Sequence, residues 1–135
     1  MNFKTTDVII DNKIVAKIFR YKKNKIKGVK FLTNNNLNLQ VGVMSHSKNY
    51  LIKPHFHINK KRLIKNMSEL LILFSGKLEV YFYNKKLKKC KSAILNPKDM
   101  ILLISGGHGF KVLQPLQMIE VKQGPFVGTK DKVRF

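Results

Sequence analysis

The sequence is poor in acidic residues, arginine and cysteine, and it has no tryptophan. Its 135 residues include seven Asp and Glu against 27 Lys and Arg, for a formal net charge of +20. The single cysteine, Cys90, excludes an internal disulfide and fits a reducing compartment. No apolar run approaches the roughly 20 residues of a membrane helix, and the first residues lack the apolar core of a signal peptide. We therefore expect a soluble, cytoplasmic protein without a membrane partner.

The excess of positive charge is compatible with binding to nucleic acid through its phosphates. However, arginine, which base-reading proteins use for bidentate contacts, accounts for only three of the 27 basic residues. The lysines are spread along the whole chain, a distribution typical of a solvated surface. The sequence thus weighs against a nucleic-acid partner, and the salt dependence of any binding would decide between the alternatives. Because acids are scarce, chance places an acid at a motif position less often.

Helical periodicity is almost absent, and short apolar or alternating runs separated by turn residues take its place. Two such runs, 8–10 and 14–19, flank Asp11-Asn12-Lys13 and predict a hairpin. Further strands are predicted at 28–32, 37–44, through His55 and His57, and at 69–74, 77–83, 87–95, 100–104, 110–113 and 118–122. Nine or ten strands at short spacing, with 28–32 counted only as a short candidate and without a helix between them, predict an all-β sandwich or barrel.

His55 and His57 stand one residue apart, in the run Lys53-Pro54-His55-Phe56-His57. In an extended strand, residues i and i+2 point to the same face, so both imidazoles would aim at one place. If Glu69 and His108 come from neighbouring strands, four ligand-type side chains converge. Three imidazoles and a carboxylate suit one divalent metal ion such as Fe, Mn, Ni, Zn or Co. Such a site would leave coordination positions for a substrate oxygen, water or dioxygen.

Three further residues are candidates for substrate contacts, each with a plainer alternative. Glu120, between apolar Ile119 and Val121, is a candidate catalytic base or ligand-orienting acid, or else an outward-facing strand residue. Lys53 and Arg62 flank the histidine pair and are candidates for binding an anionic substrate group, or else belong to a solvated basic edge.

Glu79 is the alternative to Glu69 as the carboxylate ligand. Its alternation with Leu78, Val80 and Phe82 instead predicts that Glu79 faces outward.

The histidine pair and the acid after it resemble the first motif of the cupin superfamily, small double-stranded β-helix (jelly-roll) barrels. That motif has His-x-His, then Glu, then six residues to a Gly. His55 and His57 supply the pair, and Glu69 is followed by six residues and then Gly76. Eleven residues separate His57 from Glu69, where the family usually has three or four.

The second cupin motif, a proline-led turn followed by a histidine, is similar to Asn96-Pro97-Lys98-Asp99 with His108 after it. Lys98 stands where the family has glycine. The resemblance implies a single-domain jelly roll over residues 1–135, with the barrel at about 39–122. The strands within 3–32 would extend the barrel or form a dimer arm, and a homodimer is expected.

The resemblance also implies a metal-binding protein that acts on a small polar metabolite. The end of the chain, 119–126, is similar to the end of small stand-alone cupins often associated with sugar metabolism. One expectation is therefore a sugar isomerase or epimerase, in which the metal polarises a carbonyl, or an Fe(II) dioxygenase. The alternative is a non-catalytic module that binds or senses a small ligand, because one fold hosts many functions.

Overall fold

The computed structural model describes residues 1–125 and 127–135, with the backbone alone at residues 129 and 130. Phe126, which ends the stretch that resembles small cupins, lies outside the described residues. The described chain forms eight strands, β1 (Asn2–Ile10), β2 (Lys13–Lys22), β3 (Gly28–Phe31), β4 (Gly42–Ser45), β5 (Glu69–Tyr83), β6 (Lys89–Leu95), β7 (Met100–Leu103) and β8 (Gly107–Lys122). A 3-10 turn at Gly128–Asp131 follows them, and no α-helix occurs among the described residues. The prediction of an all-β chain is confirmed.

Where the chain is described, none of its helical structure has the length and apolar character needed to cross a membrane.

Six strands form one antiparallel sheet in the order β1-β2-β7-β5-β6, with β8 also paired to β5, while β3 and β4 form a separate pair. The first half of β5 lies between β7 and β8, and its second half lies between β6 and β8. The sheet is strongly curled into a half-barrel. Strand β5 is therefore the central strand of the sheet, because it pairs with β6, β7 and β8.

The curl of the sheet is visible in the positions of Glu69 and His108. Glu69, at the start of β5, pairs with Lys122, whereas His108 pairs with Phe82 near the other end of β5. Fifteen residues of straight strand would span about 50 Å, yet the side chains of Glu69 and His108 are in contact. Glu69 also pairs with Leu103, the last residue of β7, so a short turn carries the chain from there to His108.

Gly76 marks the bend in β5. The register with β8 shifts on both sides of it, at 73–75 and at 75–78, and its φ is +81°. A Cβ atom at this position would lie 2.1 Å from the carbonyl oxygen of Pro115 on β8. Because glycine admits both this backbone angle and this close approach, the predicted strands 69–74 and 77–83 form one bent strand. In the same way, the predicted strands 110–113 and 118–122 are joined in β8.

The sheet buries apolar side chains on both faces. Leu78, Val80 and Phe82 lie in the inner cluster of the half-barrel, so the prediction that Glu79 faces outward is confirmed. The inner cluster comprises Val8, Ile10, Val15, Ala16, Ile18, Leu71, Leu73, Leu78, Val80, Phe82, Leu95, Ile101 and Leu103. The outer cluster comprises Phe3, Phe19, Val41, Val43, Met100 and Leu102. Strand β7 is buried along its whole length because its alternate residues enter the two clusters.

The predicted hairpin at the N-terminus is confirmed as β1 and β2. Asp11 and Asn12 have φ of 48° and 59°, the left-handed pair that a type I′ turn requires and that Asp and Asn tolerate. Strand β2 pairs with β7 on its other side, which makes β1 an edge strand.

Asp99 ties the turn between β6 and β7 to β2. Its side chain is 8% exposed, and its Oδ2 accepts hydrogen bonds from Nη1 of Arg20 at 2.7 Å and from the backbone N–H of Asn96 at 3.1 Å. Its Oδ1 accepts from the backbone N–H of Tyr21 at 3.1 Å, and Arg20 also donates to the carbonyl of Ile94. This one buried carboxylate thus binds Arg20 and Tyr21 of β2, which precede Asp99 by 79 and 78 residues in the sequence.

The segment 46–67, between β4 and β5, is exposed and contains no strand. The strand expected through His55 and His57 is therefore not formed, and the strand expected at 37–44 is reduced to β4. A lone extended segment has no ladder partner and is not stable by itself. The segment holds eight exposed large apolar side chains: Tyr50, Leu51, Ile52, Phe56, Ile58, Leu63, Ile64 and Met67.

Candidate metal and ligand site

Glu69 and His108 are in side-chain contact inside the curl of the sheet. Oε2 of Glu69 lies 3.3 Å from Nε2 of His108, and the two side chains are 17% and 30% exposed. Glu69 belongs to the same strand face as Leu71, and His108 shares a face with its partner Phe82. Both therefore project from the inner face of the half-barrel, and they come from neighbouring strands, the condition under which the sequence predicted their convergence.

The environment of Glu69 lowers the pKa of its carboxyl group below 4.5. Hydrogen bonding with His108 is the largest cause, and the charges of His108, Lys132 and Lys122 act in the same direction. Partial burial opposes them by disfavouring the charged form. Glu69 is thus a carboxylate at neutral pH, surrounded by donors and positive charges.

Asp131 brings a second carboxylate to the same pocket and was not predicted from the sequence. Its side chain is 8% exposed, and its Oδ2 lies 3.6 Å from Nζ of Lys122. This buried oxygen has Lys122 as an ion-pair neighbour but no hydrogen-bond partner among the described residues, an arrangement that costs more free energy than a fully hydrogen-bonded carboxylate. The scarcity of acids gave weight only to acids at motif positions, and Asp131 lies outside the motifs, so the sequence did not single it out.

These side chains border an open pocket of about 360 Å³. The pocket is lined by Lys65, Asn66, Met67, Glu69, Leu103, Ser105, Gly106, His108, Asp131 and Lys132. Its volume is in the range of small-molecule sites. Lysines at its rim favour a ligand that carries negative charge or several oxygen atoms.

His55 and His57 lie on the exposed segment 46–67 and do not line the pocket. Their ring centroids are 5.5 Å apart, and Nδ1 of His55 lies 2.9 Å from the carbonyl oxygen of Lys53. The structure therefore brings together two of the four predicted ligands. Among the residues described, no three His, Cys, Asp or Glu side chains are grouped closely enough to hold a metal ion.

The other candidates lie away from the pocket. Glu120 pairs with Leu71 across β5 and β8 but is exposed, and Lys53 and Arg62 are exposed on segment 46–67. Glu79 accepts a hydrogen bond from the hydroxyl of Tyr81 at 3.0 Å on the opposite face of the sheet.

The lowered pKa of Glu69 predicts a pH-dependent contribution to stability in metal-free protein. A group with a depressed folded-state pKa stabilises the fold above its unfolded pKa, and the contribution is lost as the pH falls through the folded value. We expect Glu69→Gln to cost about 1 kcal/mol near pH 7 and much less near pH 3. Urea unfolding at both pH values, with a chelator present, measures the difference. An equal loss of stability at both pH values would contradict a lowered pKa of Glu69 in the folded protein.

A scan against protein-family models found no match for this chain, and searches of curated proteins and of solved structures found no match either. The resemblance to the cupins thus remains a prediction from sequence motifs. What the site binds has to be inferred from its own side chains.

Proposed function

We propose that this protein binds a divalent metal ion and, with it, a small anionic metabolite in the pocket that contains Glu69 and His108. The observation that carries the proposal is the 3.3 Å separation of Oε2 of Glu69 and Nε2 of His108 at the edge of that pocket. Two ligand atoms bound about 2.1 Å from one metal ion at 90–109° lie roughly 3.0–3.4 Å apart. The pair has the spacing of two ligands of a shared ion.

Asp131 supports the same proposal. Its buried Oδ2 has the ion-pair contact with Lys122 but accepts no hydrogen bond among the described residues, so it could also interact with a cation in the pocket. In the structure Asp131 only lines the same pocket as Glu69 and His108 and is not grouped with them closely enough to form a three-ligand set. Movement of Asp131 toward the pair on metal binding would give one imidazole and two carboxylates, a donor set that suits Fe, Mn, Zn, Ni or Co. When bound, such an ion acts as a Lewis acid toward a ligand oxygen. Lys65 and Lys132 at the rim would bind the negative groups of the ligand.

We propose further that His55 and His57 complete the site from segment 46–67. The end of this segment, at Lys65 and Asn66, already lines the pocket, and eight residues of chain reach about 25 Å, so the histidines are within range. Among the described strands, β8 pairs with β5 alone, and it exposes Phe110 and Val112 beside His108. Adding the segment there would bury apolar side chains of both partners and close the half-barrel into a barrel.

Backbone angles support the cupin-type assignment behind this proposal. Gly76 has φ of 81°, and Lys98 has φ of 75° although lysine rarely adopts this region. Both are positions where the cupin motifs have glycine. A jelly-roll barrel is therefore the fold that we propose for the closed state.

Ligand binding is the favoured activity, and catalysis is the second candidate. Apart from the proposed ligands, the titratable groups among the described residues lining the pocket are lysines, and Glu120 does not line it. A sugar isomerase or epimerase would need a base there, whereas a dioxygenase would need a redox-active metal such as Fe. A carrier or sensor needs neither.

Metal titration of histidine variants tests the proposal. We expect chelator-treated protein to bind about one Zn²⁺ or Co²⁺, and His108→Ala or Glu69→Ala to weaken binding by roughly 100-fold. His46→Ala is the matched control, because His46 is exposed and stacks on Tyr50 at 4.2 Å outside the pocket. Unchanged metal affinity in both His108→Ala and Glu69→Ala would refute the proposed site.

The same samples report on segment 46–67. If His55 and His57 are ligands, metal should protect the segment from limited proteolysis, and His55→Ala should remove that protection. Full metal binding without protection would show that the site is built from Glu69, His108 and Asp131 alone.

A further inference from the structure

The outer face of the curled sheet carries two tyrosines that take no part in the metal site. Tyr81 and Tyr83 alternate with the buried Val80 and Phe82, so their rings stand on the face away from the inner cluster. Their partners on β8 are Gly109 and Gly107. Neither glycine has a side chain that could cover the rings, and both tyrosines are partly exposed, with Phe135 packed against Tyr83.

Positive charge surrounds these rings. Nζ of Lys89 lies 3.9 Å from the centroid of Tyr81, and Lys111 pairs with Glu79 on the same face. Exposed lysines in the adjoining turn between β5 and β6 are Lys85, Lys86 and Lys88. Glu79 is hydrogen-bonded to the hydroxyl of Tyr81, so its charge is partly offset within the face. The surface combines flat rings with a row of cations.

A second pocket, of about 460 Å³, opens at the Tyr83 end of this face. Phe135 packs edge-on against Tyr83 with ring centroids 5.1 Å apart, and Lys132 and Arg134 line the same pocket. The pocket is large enough for a planar ring, and it places cationic side chains at the edge of that ring.

We propose that this outer face binds single-stranded nucleic acid, with bases stacked on Tyr81 and Tyr83 and phosphates along the lysines. Stacking platforms with cationic borders bind single strands with little sequence preference. A duplex does not offer the faces of its bases, so stacking on these partly exposed rings favours a single strand. Lysines serve as point charges for phosphates and need no bidentate geometry, which suits a chain with few arginines. This proposal does not require a bound metal, although His108 and Lys132 line both pockets.

Intrinsic fluorescence gives a first test on the unmodified protein. The chain has four tyrosines and no tryptophan, so stacking of bases on two of the four should quench a measurable part of the tyrosine emission. We expect oligo(dT) to quench saturably and the effect to be lost at high salt. Heparin, an anionic polymer without bases, should not quench. No quenching by oligo(dT) at low salt, or equal quenching by heparin, would overturn the proposal.

Variants locate the surface. Tyr81→Ala and Tyr83→Ala should each weaken binding of labelled oligo(dT) by roughly 5- to 100-fold, whereas Tyr81→Phe and Tyr83→Phe should retain it. Tyr50→Ala, on the exposed segment, is the control, and thermal melting verifies folding. Lys86→Glu should weaken binding and reduce its salt dependence. If both alanine variants bind as the wild type does, or if duplex DNA competes equally well, the surface is a general polyanion site and the proposal fails.

Discussion

Replacing Gly76 with alanine should lower the free energy of unfolding by about 3 kcal/mol or prevent folding altogether. An added Cβ would lie 2.1 Å from the carbonyl oxygen of Pro115 and 2.7 Å from Cα of Leu116. Both contacts are with backbone atoms, so no side-chain rotation relieves them. The φ of +81° adds the cost of a left-handed conformation, about 1 kcal/mol for a residue with Cβ. Urea unfolding, monitored by circular dichroism, measures the loss.

Gly28→Ala is the matched control for this prediction. Gly28 has a similar φ of +78°, but an added Cβ would meet nothing within 4 Å. We expect this variant to lose only about 1 kcal/mol, the conformational part. The difference between the two variants isolates the approach of β8 to the bend in β5. Equal losses would mean that the two strands are not in close contact at Gly76.

Replacing Asp99 with alanine should cost about 3 kcal/mol. The change removes the acceptor for Arg20 and for the backbone N–H groups of Tyr21 and Asn96, all in a site where Asp99 is almost fully buried. Arg20 would keep the carbonyl of Ile94 as a partner but would lose its counter-charge. Asp99→Asn should cost less, because its amide oxygen can still accept from one backbone N–H group.

Two comparisons make this second prediction specific. Asp11→Asn removes the charge of an exposed carboxylate that accepts one hydrogen bond of 3.3 Å from the backbone of Lys85, keeps a residue type that tolerates the positive φ of this turn, and should change stability by less than about 0.5 kcal/mol. Adding Asp99→Ala to Arg20→Ala should cost much less than it does in the wild type, because the two residues act as a pair. If the double variant loses as much stability as the two single variants together, Asp99 and Arg20 do not stabilise the fold as a pair.

Local patterns in the sequence predicted the strands well where burial alternates along a ladder. Leu78, Val80 and Phe82 alternate with polar or amphipathic residues because one face of β5 meets the inner cluster. Asp11 and Asn12 predicted the first turn because few other residues tolerate positive φ.

Features set by contacts distant in sequence were harder to predict. The Gly76 position looked like the end of a strand, because a bend that keeps its pairing to β8 has the same local signature as a turn. The strand expected through His55 and His57 lacks a partner in the structure, and pairing is not encoded in alternation alone. Asp131 reaches the pocket through the path of the chain after β8, which no periodicity describes.

The clustering of lysines on one face of the sheet was also not predictable from the sequence. They are dispersed along the sequence, which favoured a uniformly solvated surface. Folding brings Lys89 over Tyr81 and sets Lys111 on the same face of the sheet. Whether charges at distant positions share a face depends on strand register, and register is a property of the assembled sheet.

The contact between Glu69 and His108 forms only when β5 and β8 are paired in the correct register. The two residues belong to opposite ends of the ladder between β5 and β8, so their spacing depends on every pairing between them. A slip of one residue would turn His108 to the outer face, and a slip of two would carry it about 7 Å along the strand. A misaligned chain could retain most of its sheet and much of its apolar burial, yet it would have no pocket of this composition. An ion bound there would therefore select the one alignment in which both ligands meet.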